Sequence, residues 1–101
     1  MRILVMFDLP TTTAEDRKNY RIFRRELIKS GFYMLQESVY CRMVLNQSVE
    51  HNVKESLKRI KPPKGIVMVL SVTEKQFARA EFVTGNFKTE VLDTDDRVTI
   101  L

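Results

Sequence analysis

Residues 1–16 read MRILVMFDLPTTTAED, and this stretch sets the start of the fold. Ile3-Leu4-Val5-Met6-Phe7 is apolar, short and partly β-branched, which predicts a strand buried on both faces. Asp8-Leu9-Pro10 ends it, because proline has no amide to give to a ladder. Thr12 followed three residues later by Glu15 has the spacing of a capping box, in which two side chains satisfy free amides at a helix start. The helix runs to about Ser30, and Gly31 stops it.

Working outward, Phe32 to Leu45 is a second strand region with a polar centre at Gln36-Glu37-Ser38. Two short strands around a tight turn are the favoured reading, and one long bent strand is the alternative. Ser48 is placed to cap a second helix, Val49 to about Ile60, which Pro62-Pro63-Lys64-Gly65 stops. Ile66-Val67-Met68-Val69-Leu70 repeats the continuous apolar pattern of the first strand. Thr73 to Phe77 reads as a turn or one helical turn, Glu81-Phe82-Val83 as a short strand, and Asn86 to Asp96 as polar loop. Arg97 to Leu101 reads as a last short strand.

The order is β-α-β-β-α-β and a tail, the ferredoxin-like arrangement of an α+β fold with an antiparallel sheet. The expected organisation is a single domain, 1–101, with 78–101 as its C-terminal tail. Helices cover one face of such a sheet, yet strands one and four lack polar alternation. A second copy of the sheet is the economical cover, so a symmetric homodimer is expected. The competing reading folds the tail back over its own sheet.

Composition narrows the functions. The chain has 101 residues, and 30% of them are charged. Its longest apolar runs are five residues, against roughly 20 for a membrane span. One cysteine, Cys41, allows no internal disulfide and no paired-cysteine metal site. A cytoplasmic protein without a membrane partner is expected. Residues 1–64 carry 13 Lys and Arg against 7 Asp and Glu, while 65–101 carry 4 against 6. A basic front and a mildly acidic back point to a polyanionic partner.

On a helical wheel Asp16, Tyr20, Phe23 and Leu27 form the inward stripe of the first helix. Arg17, Lys18, Arg21, Arg24, Arg25 and Lys29 fill an arc of roughly 140° beside it. Val49, Val53, Leu57 and Ile60 face inward on the second helix, with Lys54, Lys58 and Lys61 on one flank. Such flanks either follow a phosphate backbone or are solvated surface.

Asp8 is the sharpest candidate: a carboxylate at the end of a central strand, beside a turn. Oxygen ligands there suit Mg²⁺ or another divalent cation, and two copies near a two-fold axis could share one ion. The bland alternative is an Asx cap on the following loop. Ser38 at the kink and Arg42 are secondary candidates. His51 reads as a surface histidine and Cys41 as structural. There is no glycine-rich phosphate loop and no catalytic triad. A small-molecule sensor of this fold wants glycine-rich interface loops, which are missing.

Met6-Phe7-Asp8-Leu9-Pro10, Asp16 to Arg21 and Gly31 to Tyr40 resemble the second CRISPR-associated protein family, the CRISPR-associated endoribonucleases. So do Pro62-Pro63-Lys64-Gly65, Thr73 to Phe77 and Asp96 to Leu101, which resemble in particular the branch of type II systems. The resemblance covers essentially the whole chain. It implies a homodimer whose terminal strand, Val98-Thr99-Ile100-Leu101, crosses to the partner's sheet. It implies Mg²⁺-dependent endonuclease activity on RNA or DNA. It also implies a place in CRISPR adaptation, where the dimer bridges the integrase subunits and holds duplex DNA. The family's functional aspartate maps onto Asp8, and its basic helix onto Arg17, Lys18, Arg21, Arg24 and Arg25. Phe7 stands where many members have tyrosine.

Overall fold

A computed structural model describes residues 1–86. Its order is β1 (Arg2–Asp8), α1 (Ala14–Lys29), β2 (Tyr33–Gln36), β3 (Val39–Met43), α2 (Gln47–Arg59), β4 (Ile66–Val72) and the single turn α3 (Glu74–Phe77). The four strands form one antiparallel sheet in the order β2-β3-β1-β4. This is the α+β, β-α-β-β-α-β arrangement expected, with β1 central. Glu37 and Ser38 make the tight turn between β2 and β3, which settles the two-strand reading. Ser38 takes φ 65°, a left-handed conformation uncommon for a residue with a side chain.

Helices α1 and α2 cover one sheet face. Ile3, Val5 and Phe7 point from β1 into that layer and are buried. Phe23 and Leu27 of α1 and Val53 and Leu57 of α2 meet them there. Phe7 packs edge-on to Phe23, with ring centroids 5.1 Å apart, and stacks on Tyr40 at 5.7 Å. Burying each such aromatic stabilises the fold by about 2–3 kcal/mol.

The other face stands open in a single copy, as expected of a sheet with helices on one side only. Of the two strands read as apolar on both faces, β1 alternates in burial and β4 is an edge strand. Ile66, Met68 and Leu70 are 68, 56 and 48% exposed. Register places Leu70 opposite Leu4, Met68 opposite Met6 and Ile66 opposite Asp8 on this open face. The apolar run is continuous in sequence because both faces are apolar, although the described residues cover only one.

Two helix starts also move, and one expected strand is missing. Thr13, not Thr12, caps α1: its hydroxyl accepts from the Asp16 amide at 3.0 Å, and Asp16 accepts from the Thr13 amide at 3.2 Å. Thr12–Glu15 and Thr13–Asp16 have equal spacing, but the second lets Asp16 turn inward with Phe23 and Leu27. Asn46, not Ser48, caps α2 through the Val49 amide at 2.9 Å. Glu81-Phe82-Val83 forms no strand. The strand expected at Arg97 to Leu101, including Val98, Thr99, Ile100 and Leu101, lies outside the described residues.

Candidate functional site

Asp8 is the last residue of β1 and is exposed. Central pairing brings it to the rim: β1 is held on one side by β3 and on the other by β4. The chain end that carries it is closely framed. The Phe7 amide donates to the Ser38 carbonyl at 3.0 Å. On the β4 side, Gly65 approaches so closely that a Cβ there would stand 2.7 Å from the Asp8 carbonyl oxygen and 2.6 Å from Leu9 Cδ2. Gly65 also has φ +97°, a conformation that side chains disfavour. Sequence reasoning read this glycine as a helix stop; its requirement comes from a contact 57 positions away in the chain, counted from Asp8 to Gly65.

Below this turn, Asp16 of the capping box also faces Lys64, 3.7 Å away. The Thr13 amide and hydroxyl, helped by Lys64, hold the Asp16 carboxyl below its ordinary range. The loop carrying Gly65 is thereby tied to the start of α1.

Among the described residues no side chain pairs with the Asp8 carboxylate, and no group of three His, Cys, Asp or Glu could hold a metal ion. Among the described residues one copy therefore offers one hard oxygen ligand at this rim. Mg²⁺ is commonly held by one or two carboxylates with substrate phosphates and water completing its shell. The exposed Asp8 carboxylate fits that donor chemistry, and a buried all-protein cage does not exist here.

The basic helix emerges as drawn: Arg17, Lys18, Arg21, Arg24 and Arg25 are all exposed on α1. Two of them also have internal work. Arg17 donates to the Thr11 and Thr12 carbonyls at 3.1 and 3.0 Å. Arg24 lies beside the Tyr40 phenol; burial raises the Tyr40 pKa and the guanidinium opposes that rise. Lys18, Arg21 and Arg25 have no described hydrogen-bond or ion-pair partner, which leaves their charges for an incoming anion.

The secondary candidates change role. Arg42 is half-buried and its Nη1 donates to the Ser30 carbonyl at 3.0 Å, closing the C-terminal end of α1. It is a brace, not a free cation. Ser38 acts through its carbonyl in the ladder. Phe7 points into the helix layer, away from the face that Asp8 shares with Ile66, so a hydroxyl there would also lie on the core side.

Sequence reasoning passed over Arg2. Its Nε donates to both Glu74 carboxylate oxygens at 3.1 Å, its Nη1 meets the Tyr33 hydroxyl at 2.5 Å, and its guanidinium lies 4.4 Å from the Phe77 ring centroid. The Met1 amino group adds a contact to Glu74 at 3.4 Å. The only signal in the sequence is a cation one step into an apolar strand.

The protein-family model described as CRISPR associated protein Cas2 matches residues 1–80, which includes Asp8 and all of α1. This chain belongs to the Cas2 family. A Treponema denticola relative named CRISPR-associated endoribonuclease Cas2 is 52% identical over 101 residues, covering 100% of both chains. A Streptococcus mutans protein of the same name is 46% identical over 101 residues, covering 100% of this chain and 93% of that one. A crystal structure of Streptococcus pyogenes Cas2 at pH 6.5 superposes with a TM-score of 0.63 at 22% identity, covering 83% of this chain and 100% of that chain. That likeness shows the shared Cas2 fold. No helix among the described residues is long and apolar enough to cross a membrane.

Proposed function

We propose that this Cas2-family chain is a homodimeric subunit of CRISPR adaptation that grips nucleic acid along α1 and hydrolyses phosphodiesters at Asp8. One observation carries this reading. Asp8 stands unpaired at the rim of an apolar sheet face that the described residues leave open. A second copy seated on that face brings a second Asp8 to the same rim. The names of the Treponema and Streptococcus relatives favour RNA as one substrate.

In this reading the two Asp8 carboxylates hold a divalent cation, Mg²⁺ by choice of oxygen ligands. The ion, when bound, supplies charge neutralisation at the phosphate and an acidified water. The chain supplies the rest. Gly65 and the Ser38 carbonyl fix the main chain under Asp8. Lys18, Arg21 and Arg25 draw in phosphates without reading sequence. The CRISPR integrase subunit is the expected protein partner.

A second reading is a nucleic-acid scaffold without hydrolysis, for which the basic helix and the dimer suffice. It is favoured by the sparse ligand set, a lone carboxylate with no metal cluster among the described residues.

The test is cleavage of labelled single-stranded RNA and duplex DNA by wild type and Asp8→Ala, purified side by side, with Mg²⁺ and with chelator. Cleavage that needs both the metal and Asp8 supports the enzyme. Equal cleavage by both proteins, or binding without cleavage by either, leaves the scaffold.

A further inference from the structure

The strand end that carries Asp8 meets the start of α1 through the bend 61–65. Gly65 lies against the Asp8 carbonyl and Leu9. Lys64, one residue earlier, faces Asp16 Oδ1 at 3.7 Å. Among the described residues Asp16 is the one buried charged side chain. Its Oδ2 accepts from the Thr13 amide at 3.2 Å, which leaves Oδ1 to Lys64. The space remaining at this junction is a cavity of about 10 Å³ between Leu9, Pro10, Tyr20 and Pro62. That is room for one water at most. Tyr20 leads back to β1, since its ring meets Phe7 edge-on with centroids 5.9 Å apart.

The bend has little else to fix it. Pro62 and Pro63 have no amide hydrogens to donate, so side-chain contacts carry more of its placement. Global stability depends little on the pair. The Lys64 side chain is 70% exposed, and the bonds between Thr13 and Asp16 survive without it. What the pair supplies is position. A reacting group misplaced by about 1 Å loses up to about a hundredfold in rate. Asp16 also lies in the first turn of the helix that carries Lys18, Arg21 and Arg25. The pair thus joins the helix that would grip phosphates to the strand end that would hydrolyse them.

We propose that Asp16 and Lys64 are positioning residues for Asp8: their pair keeps Gly65 against the Asp8 main chain and so fixes the carboxylate relative to the basic face of α1. This rests on the reading of Asp8 as the hydrolytic carboxylate. It adds two residues that act on Asp8 only through the backbone between them.

The experiment uses the full-length chain as wild type, Lys64→Met, Lys64→Arg, Asp16→Asn, the double variant Lys64→Met with Asp16→Asn, and Asp8→Ala. Asp16→Asn keeps an acceptor for the Thr13 amide and removes the charge that faces Lys64. The first readout needs no catalysis: hydrogen exchange by mass spectrometry on peptides covering 5–12 and 62–70, with 47–59 of α2 as the control. Lys64→Met and Asp16→Asn should each speed exchange about fivefold in the first two peptides and leave the control unchanged. Lys64→Arg should exchange as wild type. The second readout is Mg²⁺-dependent cleavage of labelled RNA. Each charge-removing variant should lower kcat about tenfold, with KM within a factor of about two. The double variant should be no worse than either single one, because both break the same contact.

Unchanged exchange at 5–12 and 62–70 overturns the proposal. So does an equal rise in the α2 control, which would make the pair a support of the whole fold. A raised KM at constant kcat would make Lys64 a phosphate contact, and single effects that multiply in the double variant would separate the two residues; either result overturns it. Asp8→Ala that cleaves like wild type removes the hydrolytic reading, and exchange alone then decides whether the pair holds Asp8 in place. An inactive Asp8→Ala beside a fully active Lys64→Met removes only this proposal.

Discussion

The two ends of β1 carry opposite charges and opposite fates. At one end Arg2 is gripped by Glu74, Tyr33, Phe77 and, through Glu74, the amino terminus. At the other, the last position of the same seven-residue strand Arg2–Asp8, the Asp8 carboxylate has no described partner. The Arg2 grip spans 72 residues and pins α3 against the end of the sheet. Its charge is used up in holding the structure. Asp8 is held just as firmly, but through its main chain, by the Ser38 carbonyl and the close approach of Gly65. A rigid backbone under an uncommitted carboxylate is the arrangement a ligand site requires, because the charge stays available while its position is fixed.

The contrast breaks first at Asp8. Asp8→Asn is expected to lower metal-dependent cleavage by about a hundredfold or more, since it removes the hard anionic ligand that the described residues of each copy place at this rim. Thermal stability should stay within about 0.5 kcal/mol of wild type, as for other exposed changes. Asp8→Asn that unfolds early would show that the carboxylate belongs to the structure after all.

Gly65→Ala sharpens the same end. The added Cβ meets the Asp8 carbonyl, which cannot swing aside as a side chain can, and φ +97° adds backbone strain. A loss of about 3 kcal/mol is expected, read as a fall in melting temperature on the order of 10–20 °C for a domain of this size. An alanine variant as stable as wild type would mean that the turn relaxes and does not frame Asp8.

These two positions differ in how legible they were. Asp8 could be found from the sequence because its signal is local: a carboxylate where an apolar strand meets a proline turn. The exposed arc of α1 was legible for the same reason, since helical period alone decides it. Gly65, Arg2 and Arg42 were not legible, because each acts on a partner remote in the chain. Arg42 looked like a free cation until folding brought it to the Ser30 carbonyl. The cap at Thr13 was hidden by a neighbour of equal spacing, and only the inward turn of Asp16 separates them. The open sheet face is legible only in part: unbroken apolar character records what a face is suited to meet, not whether the same chain meets it.

Arg2→Met tests the satisfied end. It keeps the aliphatic stem along the sheet and removes the contacts to Glu74, Tyr33 and Phe77. The pair with Glu74 is half-exposed and contributes little alone, while the cation over the Phe77 ring adds to it. Together a loss of about 1–2 kcal/mol is expected by chemical denaturation, with Mg²⁺-dependent cleavage per folded molecule unchanged. Loss of cleavage without loss of stability would place function at the Arg2 end and dissolve the contrast.

The smallest effect belongs to Tyr33, the phenol inside the Arg2 grip. Burial pushes its pKa up from 10.0 to about 12; the Cys41 thiol adds to the rise, and Arg2 opposes it. A raised pKa means that the folded state holds the proton more tightly than the unfolded chain does. The contribution to stability is therefore complete below about pH 10 and is lost as pH climbs through about 12. Because the phenol is only partly buried, solvent screening keeps the effect below about 1 kcal/mol. Tyr33→Phe should flatten the alkaline limb of the stability curve between those values while leaving the neutral plateau nearly unchanged. Absorbance titration of wild type should show one tyrosinate appearing only near pH 12. A phenol that ionises near pH 10 would mean that the Arg2 end is as open to water as the Asp8 end, and the difference between the two would then lie in hydrogen bonding alone.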